Sequence, residues 1–472
     1  METKDNNKGQ WRWPEQGSYN PDHITAITGL PSPYELELPP MCYPGTPLDA
    51  GILGVVLELM RKQLNGIGFH TPGQMGEGGF DGTQDMERRA IWMVAGMLGG
   101  TPEEVDGYFC GGGTEANLQG LYIGRQFLRG QSDPNHKGIA ILCTPLAHYS
   151  IFFKGTNILG LTNRDRWDRC HHCGRPHLLS KDEDTEHLHL VGVTEAGEMN
   201  LEHLHQVFLT AFNEGYRQFM VVATAGTCLM GSIDPIRGIG QWITKMRQEY
   251  GVEFYFHVDA SFGGFTIPFM DQEGVCPIGF SVPEVNSITV DADKMGHLPY
   301  PAGIFMCRKG LQELVGLDVA YIRGHREYTV SGSRSVIAPV LAWEYYQRIG
   351  VEGHRNYVHK CLETRDYLLS LLKERFRNHP EVVRALPCSP FVNFLPLVIN
   401  IEGGGIPDRI GDGDGALAPY HLRSDGIPTD PMDPFSCPQM AYKLCIMPHH
   451  THKHMRRFVY DLEKVLRSEG RI

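Results

Sequence analysis

The stretch "SITVDADKMGHLPYPAGIFMCR", residues 287–308, passes from a β-branched run into a cluster of charges, Asp291, Asp293 and Lys294. It then runs through Gly296 and two prolines into a second apolar run. The first run reads as a strand buried on both faces. A lysine just past its end stands where open α/β sheets bind their ligands, beyond the carboxyl ends of the strands.

Working back from this stretch, similar runs occur at "IAILCT" (139–144), "LHLVGV" (188–193), "FMVVAT" (219–224) and "FYFHVD" (254–259). Helix-patterned segments lie mostly between them. "PIRGIGQWITKMRQEYG" (235–251), for example, opens with proline after Asp234, as helix N-termini often do. Ahead of the strands, "DAGILGVVLELMRKQLNG" and "TQDMERRAIWMVAGMLGG" repeat apolar residues at helical steps. The pattern predicts an α/β protein with a mostly parallel sheet. Residues 1–50 are proline-rich toward their end and suit an extended arm. Residues 51–329 form the large domain, with an insertion at about 163–187, and 330–472 form a smaller α+β C-terminal domain. In that last part, "VLAWEYYQRIG" and "VVRALPCSPFVNFLPLVIN" read as helical, and 403–434 as a Gly/Asp/Pro-rich loop.

At 472 residues, 41% hydrophobic and 21% charged, the chain has ample material for a core. Its net charge of -12 argues against nucleic acid or an anionic membrane as the main partner. No apolar run approaches the ~18 residues of a membrane span. The polar N-terminus lacks the apolar core of a secretory signal. Twelve cysteines at irregular spacings read as reduced thiols, and a cytoplasmic protein is expected.

The residues that end each run carry the chemistry. Asp259 closes "FYFHVD", and a buried acid there needs a cationic partner. Lys294 follows thirty-five residues later, a separation that permits one crossover between neighbouring strands. His148 stands four residues past "IAILCT", and Thr227 lies in the glycine-containing turn after "VVAT". "CGGGTEANL" sets three glycines, with Gly113 last, before Thr114 and a helix, a plausible cradle for a phosphate. Each feature alone has a bland reading: a solvated lysine, a structural histidine, a capping acid, a common glycine turn. In this order they match the needs of pyridoxal 5'-phosphate: an amine, an acid for the ring nitrogen, a planar group over the ring and an anion seat.

The sequence resembles the group II pyridoxal-phosphate-dependent amino-acid decarboxylases over about residues 70–370. The motifs that carry the resemblance are "GGGTEANL", "AHYS", "ATAGTCLMGSIDP", "HVDASFGG", "DADKMGHLPYPAGIFMCR" and "SGSRS". "KMGHLPYPAG" looks most like the branch containing bacterial and archaeal tyrosine decarboxylases. The resemblance implies an aspartate-aminotransferase-like (type I) fold and a homodimer with the active site at its interface. It implies that Lys294 carries the cofactor, Asp259 pairs with the ring nitrogen and His148 stacks on the ring. Gly113 and Thr114 would hold the phosphate, with Thr227 near the cofactor or the substrate carboxylate. Tyr321 or Tyr328 would be the mobile-loop tyrosine that protonates the substrate carbon, and Arg334 falls at the family's arginine position, with a structural ion pair as its equal alternative. The family usually has histidine directly before the lysine, where it helps bind the cofactor; here Asp293 takes that cofactor-binding position. Beside a phosphate it would have to be protonated, turned away or engaged by a cation, so either the phosphate is held differently or Asp293 contacts a substrate amine or a local arginine.

"CHHC" sets Cys170 and Cys173 at zinc-ligand spacing beside His171, His172 and His177. No second Cys-x-x-Cys follows, so the reading is a loop with reduced thiols and no metal, with zinc as the alternative. "PHHTHKH" (448–454) reads as a solvated or substrate-adjacent helix start. The expected reaction is α-decarboxylation of an L-amino acid, aromatic and tyrosine-like, to an amine and carbon dioxide. Alternatives are an acidic substrate, a carbon–carbon lyase or oxidative deaminase on the same cofactor, and a non-catalytic binding paralogue.

Overall fold

The computed structural model describes residues 36–42, 44–45, 50–73, 80–130, 137–160, 187–271, 273–274, 276–322, 324–400, 417–434, 436 and 438–472. The segment of the expected insertion, with Cys170, Cys173 and the histidines beside them, lies outside the described residues.

Seven strands form the main sheet: β1 (Val105–Cys110), β2 (Ile139–Cys143), β3 (Leu188–Leu190), β4 (Gln218–Thr224), β5 (Glu253–Asp259), β6 (Ser287–Asp291) and β7 (Gly303–Arg308). Their order across the sheet is β1-β7-β6-β5-β4-β2-β3. β7 pairs antiparallel with both neighbours, and the other ladders are parallel. β1, β2, β4, β5 and β6 therefore all end on one edge. Every residue of β1, β2, β4 and β6 is buried. Apolar runs without alternation form such strands because both faces are covered by other elements.

The covering helices follow from their own patterns. α1 (Ala50–Lys62) and α2 (Asp81–Met97) precede the sheet, α3 (Gly113–Gly130) follows β1, α4 (Leu201–Asn213) follows β3, and α5 (Ile236–Tyr250) links β4 to β5. α5 buries Ile236, Ile239, Ile243 and Met246, a stripe at helical steps. Each such side chain stabilises the fold by about 1.5–3 kcal/mol through burial. α5 stops at Gly251, whose φ of 62° is left-handed and whose N–H donates to the Arg247 carbonyl.

A two-stranded pair, β8 (Leu317–Asp318) and β9 (Arg326–Glu327), leads to α6 (Ile337–Arg375), kinked at Gly350. A second, antiparallel sheet follows, β10 (Val383–Ala385), β11 (Phe394–Ile399), β12 (Arg423–Pro428) and β13 (Pro438–Cys445), in the order β10-β11-β13-β12. The helix expected over "VVRALPCSPFVNFLPLVIN" is thus two strands. Pro387 and Pro390 forbid a helix there, and the apolar run after them pairs with β13. α7 (His452–Ser468) ends the chain, with Thr451 and His454 closing a capping box. The histidine-rich stretch is only partly solvated: His450 is buried, accepting from the Met447 N–H at 2.9 Å and facing the Pro40 carbonyl at 3.2 Å. Near the end of the proline-rich stretch, Met41 is buried against the second sheet, its N–H donating to the Tyr420 carbonyl. Among the described residues no helix is long and apolar enough to cross a membrane.

Candidate active site

β5 delivers Asp259 to the shared strand edge, and β6 delivers Asp291 and, one turn on, Lys294. Asp259 is buried. Its Oδ1 accepts from the Ser261 hydroxyl at 2.6 Å and the Ser261 N–H at 3.1 Å; its Oδ2 accepts from Asn117 Nδ2 at 2.9 Å. Burial alone would raise this carboxyl, but His148, the Ser261 hydroxyl and Lys294 outweigh it, and the net shift is downward. The group is held ionised.

Lys294 Nζ lies 2.7 Å from Asp291 Oδ2 and 4.3 Å from the centre of the Phe262 ring, with 17% of the side chain exposed. Burial would lower its ammonium, and Asp291 more than reverses this, so the net shift is upward. Burial pushes the Asp291 carboxyl up to about 6, which Lys294 opposes and Asp293 reinforces. The glycine turn after β1 rests on this pair: a Cβ on Gly113 would lie 2.6 Å from Asp291 Oδ2 and 2.7 Å from Ser261 Oγ, so only glycine fits. Gly113 opens α3 and Thr114 follows it, directing free amides at this edge. The Gly111 N–H is already taken by Glu115 Oε2 at 2.8 Å.

His148 follows β2, with Nδ1 2.7 Å from Ser150 Oγ. Burial lowers its pKa to about 4, opposed by Asp259 and assisted by Lys294, Lys443 and Lys154, so the ring is neutral near pH 7. These influences place His148 in the same field as Asp259 and Lys294. The expected trio therefore converges.

Other expected residues are placed differently. Thr227 Oγ1 is 2.7 Å from Ser232 Oγ and accepts from the Ser232 N–H at 3.1 Å, closing its own turn. Asp293 is turned away from the glycine turn to the loop before β7, where its Oδ2 accepts from the Ala302 N–H at 2.9 Å. Tyr328 is buried between Phe69 and the sheet, its hydroxyl donating to Glu313 Oε2 at 3.3 Å. Tyr321 is 79% exposed. Arg334 Nη2 donates to the Gly68 carbonyl at 2.7 Å and lies 3.6 Å from Glu87 Oε1, a structural pairing with a carboxylate that also holds His70.

Two residues at the site escaped the sequence reading. Asp291 was visible as a charge beside the lysine, but nothing showed that its side chain turns back one helical step onto it. Lys443, on β13, lies 5.8 Å from the Phe262 ring and 5.7 Å from the Phe394 ring and acts on His148. A lone cation inside the apolar "MAYKLCIM" was its only signal.

An amine, an ionised buried acid, a neutral imidazole and a helix start seated against a glycine turn fit pyridoxal phosphate as a donor set. They define a pyridoxal-phosphate enzyme. Residues 170–394 match the model of the pyridoxal-dependent decarboxylase conserved domain. The chain is 29% identical over 342 residues to a tryptophan decarboxylase of Clostridium sporogenes, covering 70% of this chain and 74% of that one. It is 28% identical over 428 residues to the L-tyrosine/L-aspartate decarboxylase of Methanocaldococcus jannaschii, covering 88% and 90%. The glutamate decarboxylase of Lactobacillus brevis superposes with a TM-score of 0.73 at 15% identity, covering 98% of this chain and 95% of that one. The chain is an amino-acid decarboxylase with pyridoxal phosphate as cofactor, related to archaeal and bacterial tyrosine/aspartate decarboxylases.

The fold assignment is corrected accordingly. The aspartate-aminotransferase-like (type I) designation gives way to the fold of the group II decarboxylases, which is what superposes along nearly the whole chain. The reason is physical: a lysine, an acid and a glycine turn constrain a cofactor pocket, whereas strand order and flanking elements fix a fold.

Proposed function

We propose that the substrate is an aromatic L-amino acid, tyrosine-like, converted to its amine and carbon dioxide. The convergence of Lys294, Asp259 and His148 on one strand edge carries the decarboxylase chemistry, and the choice of substrate rests on the relatives. The tryptophan and tyrosine/aspartate decarboxylases among its relatives support the aromatic choice.

Bound pyridoxal phosphate supplies the electron sink for carbon dioxide loss from Cα. Lys294 would hold it through its ε-amino group, and Asp291 Oδ2 at 2.7 Å would orient that nitrogen. Asp259 would keep the ring nitrogen protonated, the neutral His148 ring would lie against the ring, and the amides of Gly113 and Thr114 would hold the phosphate. Asp293 caps the Ala302 N–H and stays off the phosphate; Thr227 shapes its turn. Tyr321, exposed where Tyr328 is locked in the core, is the proton donor to Cα. A second reading, an acidic substrate, is favoured by Lys443, a second cation beside the Phe262 ring that also acts on His148.

The same proposal includes a cytoplasmic homodimer built from residues 51–329 and 330–472 of each chain, with the site at the interface. α1 supports it by exposing Leu53, Leu57 and Met60 at helical steps on one face. A screen of the twenty L-amino acids for carbon dioxide release with added cofactor tests the substrate. Release from tyrosine or tryptophan is expected. Release only from aspartate or glutamate, and its loss in Lys443→Met, would favour the second reading.

A further inference from the structure

Behind the site runs an unbroken chain of buried hydrogen bonds. The Tyr255 hydroxyl donates to Ser287 Oγ at 2.7 Å, and Ser287 Oγ lies 2.8 Å from His257 Nδ1. His257 Nε2 lies 3.0 Å from Asn117 Oδ1. Asn117 Nδ2 donates to Asp259 Oδ2 and to Ser150 Oγ, both at 2.9 Å. Ser150 Oγ lies 2.7 Å from His148 Nδ1. Tyr255, Ser287, His257, Asn117 and Ser150 are fully buried. α3 opens to admit the imidazole, since a Cβ on Gly120 would meet His257 Cε1 at 2.5 Å.

The chain has a direction, and Asp259 sets it. An ionised carboxylate only accepts, so the Asn117 amide must face it with NH2 and turn its carbonyl to His257. That carbonyl requires a proton on His257 Nε2. Neutral His257 then leaves Nδ1 to accept from the Ser287 hydroxyl, which in turn accepts from Tyr255. On the other branch, Ser150 Oγ accepts from Asn117 and is free to donate to His148 Nδ1. The Ser150 N–H also donates to Nδ1, at 3.3 Å. Two donors aimed at Nδ1 leave Nε2 as the protonated nitrogen of His148. Reversing any one link would set two donors or two acceptors face to face.

We propose that Asn117 is a positioning residue for the decarboxylation: its amide, held one way round by His257, Ser287 and Tyr255, keeps Asp259 ionised and His148 in its Nε2–H tautomer together. This rests on the roles given above to Asp259 and His148. One side chain thus couples the group at the ring nitrogen to the group over the ring face. The charged groups acting on His148 are Asp259, Lys294, Lys443 and Lys154, from four different segments, and none lies in the chain between Asn117 and Tyr255 except through Asp259.

The test uses Asn117→Asp and Ser150→Ala. Three quantities are read: the cofactor dissociation constant of the apoenzyme by tryptophan fluorescence, the pH titration of the bound cofactor's absorbance, and kcat and KM. At pH 8, Asn117→Asp sets carboxylate against carboxylate. The cofactor dissociation constant should rise on the order of ten- to a hundredfold, kcat should fall similarly, and KM should stay within about threefold. Both losses should shrink as pH falls, because the protonated carboxyl donates where the amide did. Ser150→Ala, a small deletion with little risk to folding, removes the hydroxyl, the nearer of the two donors aimed at Nδ1, while the backbone N–H at 3.3 Å stays; protonation of Nδ1 becomes easier and the acid limb of kcat/KM should move up by at least about one pH unit. The proposal is overturned if Asn117→Asp loses affinity equally at every pH, or if Ser150→Ala leaves the titration and the limb in place. Should Asn117→Asp not fold, Ser150→Ala decides. A wild-type protein without cofactor absorbance would instead sink the underlying assignment of the site, and normal wild-type absorbance with silent variants would sink the relay alone.

Discussion

Asp293 stands directly before Lys294, and its geometry points to a task unrelated to the cofactor. Its Oδ2 accepts the Ala302 N–H at 2.9 Å, and Ala302 is fully buried. In Asp293→Ala that N–H has no acceptor and no water, which costs about 1–3 kcal/mol. In Asp293→Asn the amide oxygen still accepts, and the loss should stay within about 1 kcal/mol. Burial pushes the Asp293 carboxyl up, opposed by the Ala302 bond and Lys294. A raised acid means the fold prefers the protonated form, so this group's contribution to stability falls as pH rises from about 4. Asp293→Asn should therefore gain on the wild type as pH increases. Urea unfolding of the apoenzyme at several pH values measures both effects, and fluorescence titration measures cofactor affinity. Affinity should be no weaker in Asp293→Asn than in the wild type. Unchanged stability in Asp293→Ala, or a tenfold loss of affinity in both variants, would refute the capping role and make the carboxylate a cofactor ligand.

Other outcomes follow from the same geometry. Borohydride treatment should fix the cofactor on Lys294, as peptide mass spectrometry can show, and Lys294→Ala should lose the cofactor absorbance and on the order of a thousandfold or more in kcat. Because burial lowers His148 to about 4, its protonation should appear in kcat/KM profiles near that pH; an inflection near 6.5 that His148→Gln removes would contradict the placement. Arg334→Ala strands Glu87, partly compensated by His70, and should cost about 2–4 kcal/mol in denaturant unfolding with kcat little changed. Tyr321→Phe should lower kcat at least about tenfold by removing a proton donor, while Tyr328→Phe should cost only about 1 kcal/mol of stability.

How much of this was legible in the sequence depended on distance along the chain. The runs at 139–144, 219–224, 254–259 and 287–291 coincide with β2, β4, β5 and β6, because a strand buried on both faces must be apolar at every step and that pattern is local. "VDGYFC" carries an acid and a glycine within it, and its place as β1 is decided by pairing with β7 about two hundred residues away. Between Pro387 and Ile399 the prolines outweighed an apolar pattern that could be read either way. At the site, Lys294, Asp259 and His148 could be proposed from the sequence because each stands at or a few residues past the end of a run on the shared edge. Lys443 was not, because it arrives on a strand of the second sheet whose proximity to Phe262 no spacing encodes. The same limit explains Asn117: in "GGGTEANL" it is one polar residue on a helix, and only the crossing of α3 over β5 turns it toward Asp259. Residue types at strand ends thus announce which chemistry a site performs. The groups that fix protonation states and orientation are set by how separate elements cross, and they are where relatives with the same lysine and acid can differ.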